Sequence, residues 1–392
     1  MNRFTWMRTV AAVGAAALAL SACGGGGDST DAGSDSTIRV GAVLSLTGPA
    51  AGFGLPAKEA LDIIAKKLNK DGGVDGRKIK LFIKDDKTDP TEAARLARSL
   101  ILDDEVSVIV GATTGSASMA LGPIAAANKV PVLAPNNTIS VTDKKSGFYD
   151  WIFRLGINDL LTVEKAFDLA KSFGAKKVGI FYQEDAYGEA TKDRAVELAK
   201  DDDDVDIVVT AAAPLSATDT AVQATRIKNA NPDAVLLQAS AQALGSSIVR
   251  ALKQVRYEGQ IIVPIGLTTD AFIDGAAGDA EGIEALGGFG LDKPVSDGQK
   301  EFLATLEESG YGPPKGFGEV LGGTATNALV AAIKKADGDY SGESMRDAIE
   351  SVCYDSLFPG PEVCFSKDNH DGASVENGAH ERVEKGKWVT VE

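Results

Sequence analysis

From Ile38 onward the chain alternates two hydrophobic patterns. Short apolar runs, the mark of buried strands, are followed by stretches whose apolar positions recur every three or four residues, the mark of amphipathic helices. Residues 38–46 read as a strand and 56–68 as a helix carrying Ala60, Ile63, Ile64 and Leu68 on one face. Strands at 79–84, 106–110 and 130–134 then alternate with helices at 91–102 and 116–127. After Arg154 the theme restarts, with helices at 159–173, 188–200, 221–229 and 243–254 and strands at 177–182, 206–211, 234–238 and 261–265. Helical stretches return at 297–309, 318–336 and 344–351, and 387–391 is again strand-like. Strands separated by helices imply an α/β fold with parallel sheets and right-handed crossovers. The restart and the late return of helices imply two doubly wound lobes, with the chain crossing between them more than once.

Ligands of such sheets sit beyond the carboxyl ends of the strands, where helix N-termini present free N–H groups. The loops after Val110, Ala134 and Tyr182 are therefore the places to search. Gly111-Ala112-Thr113-Thr114-Gly115-Ser116 offers glycines for close approach, hydroxyl donors and a helix N-terminus suited to an anion. It lacks the Gly-Lys-Ser/Thr ending of a phosphate-binding P-loop and is not GxGxxG. The same loop reads equally well as a strand-to-helix turn with an N-cap. Ala134-Pro135-Asn136-Asn137-Thr138 has the same character and the same alternative of structural capping.

Composition narrows the chemistry. The 392 residues suffice for two lobes with separate cores. The net charge of −16 and the lack of any basic run argue against a nucleic-acid partner. Both histidines, His370 and His380, lie near the end of the chain. The body thus lacks the material for a Ser-His-Asp or Cys-His pair or a His-rich metal site. Neither cofactor nor metal is expected, and two donor-rich loops without a catalytic histidine favour binding over catalysis.

Residues 1–22 read as a secretory signal: Arg3 and Arg8, then an apolar run from Val10 to Leu20 that is short for a membrane span, then small residues. Leu20-Ser21-Ala22-Cys23 resembles a bacterial lipobox, which implies cleavage before Cys23 and acylation of its thiol. An ordinary signal peptide containing a cysteine is the other reading. Residues 23–37, rich in Gly, Ser and Asp, form a flexible tether on the first reading. Cys353 and Cys364 remain as an even pair in an oxidising compartment; the intervening residues can loop back to close a disulfide, and two free buried thiols are the alternative.

Several segments together resemble one family. These are residues 38–49 (Ile-Arg-Val-Gly-Ala-Val-Leu-Ser-Leu-Thr-Gly-Pro), Gly72-Gly-Val-Asp-Gly-Arg77, Asp85-Asp86 with Asp89-Pro90, residues 131–138, and Asp185-Ala-Tyr187-Gly188. In order and spacing they are similar to the leucine-isoleucine-valine-binding family of ABC-transporter solute receptors, over 38–392. The resemblance implies the type I periplasmic binding protein fold: two Rossmann-like lobes, three crossovers, and closure over a small solute. It divides the body into lobe 1 (38–157 plus 290–360) and lobe 2 (158–289 plus 361–392). It implies a monomeric, non-enzymatic receptor, lipid-anchored on the extracytoplasmic face, that delivers solute to ABC permease subunits and their ATPases. A ligand sensor on the same scaffold, coupled to a signalling partner, is the competing function; permease genes nearby favour the first, a kinase or chemoreceptor the second.

The resemblance also assigns residues. Thr114, Gly115 and Ser116, with Asn136 and Thr138, match the positions that hold the ligand's carboxylate. Phe53 matches an aromatic at the cleft mouth, Tyr187 the second-lobe tyrosine and Asp159 an acidic pocket residue. Ordinary packing, a helix start and an N-cap are the respective alternatives for these three. Two departures bear on the solute. Where the family's amino-acid receptors carry an acid for the ligand ammonium, this chain has Ile265 or Gly266, with Asp270 further along; Ser240, flanked by Gln238 and Gln242, replaces an aromatic. Either Asp159 takes the ammonium, or the solute lacks one.

Overall fold

A computed structural model describes residues 37–391; residues 1–36, including the signal-like segment and Cys23, lie outside the described residues. The first half of the fold runs β1 (Thr37–Leu44), α1 (Ala51–Lys70), β2 (Lys78–Asp85), α2 (Pro90–Leu102), β3 (Val108–Gly111), α3 (Gly115–Ala127), β4 (Val132–Ala134) and β5 (Ile152–Arg154). These strands form a parallel sheet in the order β2-β1-β3-β4-β5. The second half runs α4 (Asp159–Ser172), β6 (Lys177–Gln183), α5 (Ala186–Lys200), β7 (Asp206–Ala213), α6 (Ala221–Ala230), β8 (Ala234–Gln238), α7 (Gln242–Gln254), β9 (Gln260–Pro264), α8 (Asp270–Ala276) and β10 (Glu284–Gly288).

The chain then passes through α9 (Asp297–Glu308), α10 (Phe317–Lys335) and α11 (Gly342–Ile349) to the hairpin β11 (Cys353–Tyr354) and β12 (Val363–Cys364), and ends in β13 (Ala379–Glu384) and β14 (Lys387–Thr390). The second sheet has the order β14-β13-β10-β9-β8-β6-β7. Its last two strands are antiparallel additions to an otherwise parallel sheet. Cys353 faces Cys364 across the hairpin and the two form a disulfide.

Local chemistry explains the boundaries. Asp89 caps α2 by accepting hydrogen bonds from the N–H groups of Thr91 and Glu92, with Pro90 at the first helical position. The strands β3 and β8 are buried along their whole length, which requires cover on both faces. Helix α1 starts at Ala51, five residues before Pro56, where the sequence pattern places the helix start. Gly54 permits this, because a Cβ there would stand 2.1 Å from the Ser45 carbonyl oxygen. Packing of the first turn on the β1 exit carries the helix past the proline.

Helix α10 packs back onto α1 through glycines. A Cβ on Gly318 would meet the Phe53 carbonyl at 2.4 Å, and one on Gly322 the Ala57 carbonyl at 2.5 Å. Leu321, Ala325, Leu329 and Ile333 of α10 share one apolar core with Val40, Leu44, Ala60 and Leu61. A separate core holds Phe181, Leu237, Ile248, Val263 and Phe272 beside the second sheet. Residues 365–373 lie on the first sheet: the His370 ring stacks on Phe153 at 4.0 Å and Tyr149 at 4.2 Å, and its carbonyl accepts from Arg154 N at 2.9 Å. Only from Ala379 does the tail join the second sheet, where Arg382 Nε donates to Glu284 at 2.6 Å and His380 lies 2.7 Å from the same carboxylate.

Candidate functional site

A cavity lies beyond the carboxyl ends of both sheets. From the first half it is lined by Ala50, Phe53, Thr113, Thr114, Gly115, Asn136, Asn137 and Thr138; from the second by Gln183, Asp185, Tyr187, Ser240 and Gly266; Phe317 of α10 completes it.

The first-sheet wall is a buried network built on backbone. Asn136, only 4% exposed, donates through Nδ2 to the Ala112 carbonyl (3.0 Å) and Ser118 Oγ (2.9 Å), and its Oδ1 accepts from Thr138 N at 3.1 Å. Thr113 Oγ1 accepts from Ser45 N at 2.9 Å, and Ser45 Oγ donates to buried Asp86 at 2.7 Å. Thr114 caps α3, accepting from Ala117 N at 3.3 Å. Gly115 is pressed onto Thr138: a Cβ there would stand 2.3 Å from Oγ1 and 2.6 Å from Cβ of that threonine. The α3 N-terminus and two hydroxyls thus meet at one end of the cavity, an arrangement suited to a carboxylate or another electron-rich group.

The second-sheet wall is a chain of side chains. Gln183 Oε1 accepts from Ser240 N (2.7 Å) and Oγ (3.2 Å), while its Nε2 donates to Asp185 Oδ2 at 2.7 Å. The other Asp185 oxygen accepts from Gly188 N at 3.0 Å, which caps α5. Burial pushes the Asp185 carboxyl above its ordinary range, against the pull of those donors. Tyr187 is likewise pushed well up, by burial first and then by the Asp159 and Asp185 charges. Phe53 and Phe317 meet with ring centroids 4.7 Å apart.

Eight of the residues singled out from sequence line this cavity: Phe53, Thr114, Gly115, Asn136, Thr138, Tyr187, Ser240 and Gly266. Ser116 and Asp159 do not. Ser116 is half-buried in the first turn of α3, where its neighbours Thr114 and Gly115 form the wall. Asp159 is 1% exposed, and its Oδ1 accepts from Ile139 N at 3.2 Å. Burial raises its carboxyl to about 7, opposed by Arg154 and by that N–H. Asp270 lies outside the cavity wall, and the Gly266 carbonyl accepts from Gln242 Nε2 at 3.3 Å.

Of the other lining residues, Ala50, Gln183 and Phe317 were not singled out from the sequence, whereas Thr113 and Asn137 belong to the two donor-rich loops and Asp185 to the Asp185-Ala-Tyr187-Gly188 segment without having been assigned a role. Asp185 carried a readable signal: it is the N-cap two residues before Tyr187, so both belong to one helix start. Phe317 carried none, since only the packing of α10 on α1 brings it to Phe53.

Comparison with known proteins agrees with this architecture. A family model described as periplasmic binding protein matches residues 37–375. A Leu/Ile/Val-binding protein of Rhizobium johnstonii is 27% identical over 251 residues, covering 64% of this chain and 66% of the relative, slightly under two thirds of its length. A leucine-, isoleucine-, valine-, threonine- and alanine-binding protein of Pseudomonas aeruginosa is 25% identical over 319 residues, covering 81% and 76%. Among solved structures, an extracellular ligand-binding receptor from Rhodopseudomonas palustris HaA2 superposes with a TM-score of 0.82 at 25% identity, covering 90% of this chain and 99% of that one.

Proposed function

This chain belongs to the periplasmic binding protein family, with the type I two-lobed fold, and from that premise we propose that it captures a small polar solute in the cavity for an ABC importer. The single observation that carries this reading is the cavity wall itself, which takes Thr114, Gly115 and Thr138 from beyond one sheet and Tyr187, Ser240 and Gly266 from beyond the other. A site shared in this way is completed only when both halves approach, so ligand binding and hinge closure are one event. The names of the two curated relatives point to amino acids with small or branched aliphatic side chains as the first solutes to test.

The α3 N-terminus with Thr114 and Thr138 receives the carboxylate, and Phe53 and Phe317 cover the apolar part. We place the third crossover between Ala373 and Ala379, later than 360, because His370 packs on the first sheet and β13 on the second. Acylation of Cys23 would tether the body to the outer face of the membrane beside the permease. Among the described residues no helix is long and apolar enough to cross a membrane.

Two experiments test the reading. Thermal unfolding of the purified protein against a panel of amino acids, amides and organic acids should show a rise for one chemical class; a ligand at a hundred times its Kd stabilises by about 2.7 kcal/mol. A panel without effect overturns the solute assignment. Palmitate labelling should mark the protein and be lost in Cys23→Ser; labelling that survives the substitution removes the anchor at that residue.

A further inference from the structure

Among the residues lining the cavity, Asp185 is the one carboxylate, and neither lysine nor arginine is present. Its two oxygens accept from Gln183 Nε2 and Gly188 N, both neutral donors, and among the described residues no cationic side chain pairs with it. A carboxylate drawn out of water and met only by neutral donors retains acceptor capacity and unbalanced charge, which a cation entering the cavity relieves.

Neither of the two other positions from which an acid could serve the solute puts a carboxylate on the cavity wall. Gly266 has no side chain, and Asp159 does not line the cavity: one of its oxygens accepts from Ile139 N and the other is buried without a hydrogen-bond partner. Asp185 is also held in place: Gln183 is anchored by two hydrogen bonds to Ser240, so its Nε2 is committed to the carboxylate.

We infer that Asp185 receives a protonated amine of the solute, so that the cleft selects amine-bearing ligands although position 266 is glycine. The assignment rests on the proposed solute-binding role and gives it a chemical class. A ligand with an ammonium toward Asp185 and a carboxylate toward the N-terminus of α3 matches the opposite polarities of the two walls. An α-amino acid is the simplest such molecule.

The test is calorimetric titration at pH 7 with matched probes: leucine, isoleucine, valine, threonine and alanine, each beside its 2-oxo and 2-hydroxy acid. These probes differ only in the amine. The purified protein is compared with Asp185→Asn and Asp185→Ser, both of which keep an N-cap for α5.

The wild type should bind at least one amino acid and bind its 2-oxo and 2-hydroxy partners on the order of 10- to 100-fold more weakly. Both variants should lose that preference, the amino acid weakening by a similar factor while the 2-oxo acid changes little. Equal binding of amino and 2-oxo acids by the wild type, or a preference that survives in Asp185→Asn, overturns the role of Asp185 and leaves the solute-binding reading standing. Failure of the wild type to bind any of the three series overturns both.

Discussion

On the first-sheet side of the cavity the lining groups are held by the backbone, whereas on the second-sheet side they are held by one another. Asn136 ties the β3 and β4 exits together through Ala112 and Thr138, and the α3 N-terminus follows directly. Across the cleft, Ser240, Gln183 and Asp185 form a hydrogen-bonded relay between two segments, the β8 exit and the β6–α5 turn. A backbone cradle recognises a feature common to many solutes and tolerates little change. A side-chain relay can be rewritten by a few substitutions, so specificity belongs on the second wall.

The largest effect should follow damage to the first wall. Asn136→Ala leaves the buried Thr138 N–H without its partner and the Ala112 carbonyl with only Ser118 Oγ, and should cost about 2–4 kcal/mol of stability in chemical denaturation. A loss below about 1 kcal/mol would show that the cradle does not depend on this amide.

A second effect concerns Asp159, behind the junction of the walls. Burial raises its folded carboxyl from the ordinary 3.8 to about 7. The folded state therefore binds the proton more tightly than the unfolded state does. The corresponding stability is fully present below about pH 4 and is lost as the pH rises through about 7. Wild-type stability should fall by roughly 1–3 kcal/mol between pH 4 and pH 8. Asp159→Asn should flatten much of that fall, while Glu381, also raised to about 7 by burial, contributes a separate share. An unchanged slope in the variant would contradict the burial argument.

The smallest effect on the fold should come from the second wall. Gln183→Leu removes the link between Ser240 and Asp185 and should cost about 1–2 kcal/mol, yet shift ligand preference more than Asn136→Ala does at equal stability. If titration of the two variants shows the same ligand order, the division of labour between the walls is wrong.

How much of this was legible follows the same division. Helices α2, α3 and α7 and strands β6 and β8 stand within two residues of the pattern, because apolar periodicity and caps such as Asp89 are local. Strand β5 has three residues, too few for a period to register. Strand β10 ends in two glycines, and β13 carries four charged or histidine residues in six, so neither reads as a buried strand. Both exist because Glu284 is paired with His380 and Arg382 across the register, a contact that spans nearly a hundred residues.

In the site, Thr114, Gly115, Asn136 and Thr138 were readable because a strand exit and a helix start suffice to place them. The sequence pattern left Asp159 as a possible ammonium partner. In the fold one Asp159 oxygen accepts from Ile139 N, and Asp185 is the carboxylate that lines the cavity.

The most direct test of the account is titration of Gly115→Ala beside the wild type with the amino-acid panel. The added Cβ would stand 2.3 Å from Thr138 Oγ1, inside the proposed carboxylate cradle, and should weaken binding on the order of tenfold or more. Wild-type affinity in Gly115→Ala, with the variant folded, would place the solute outside this cavity.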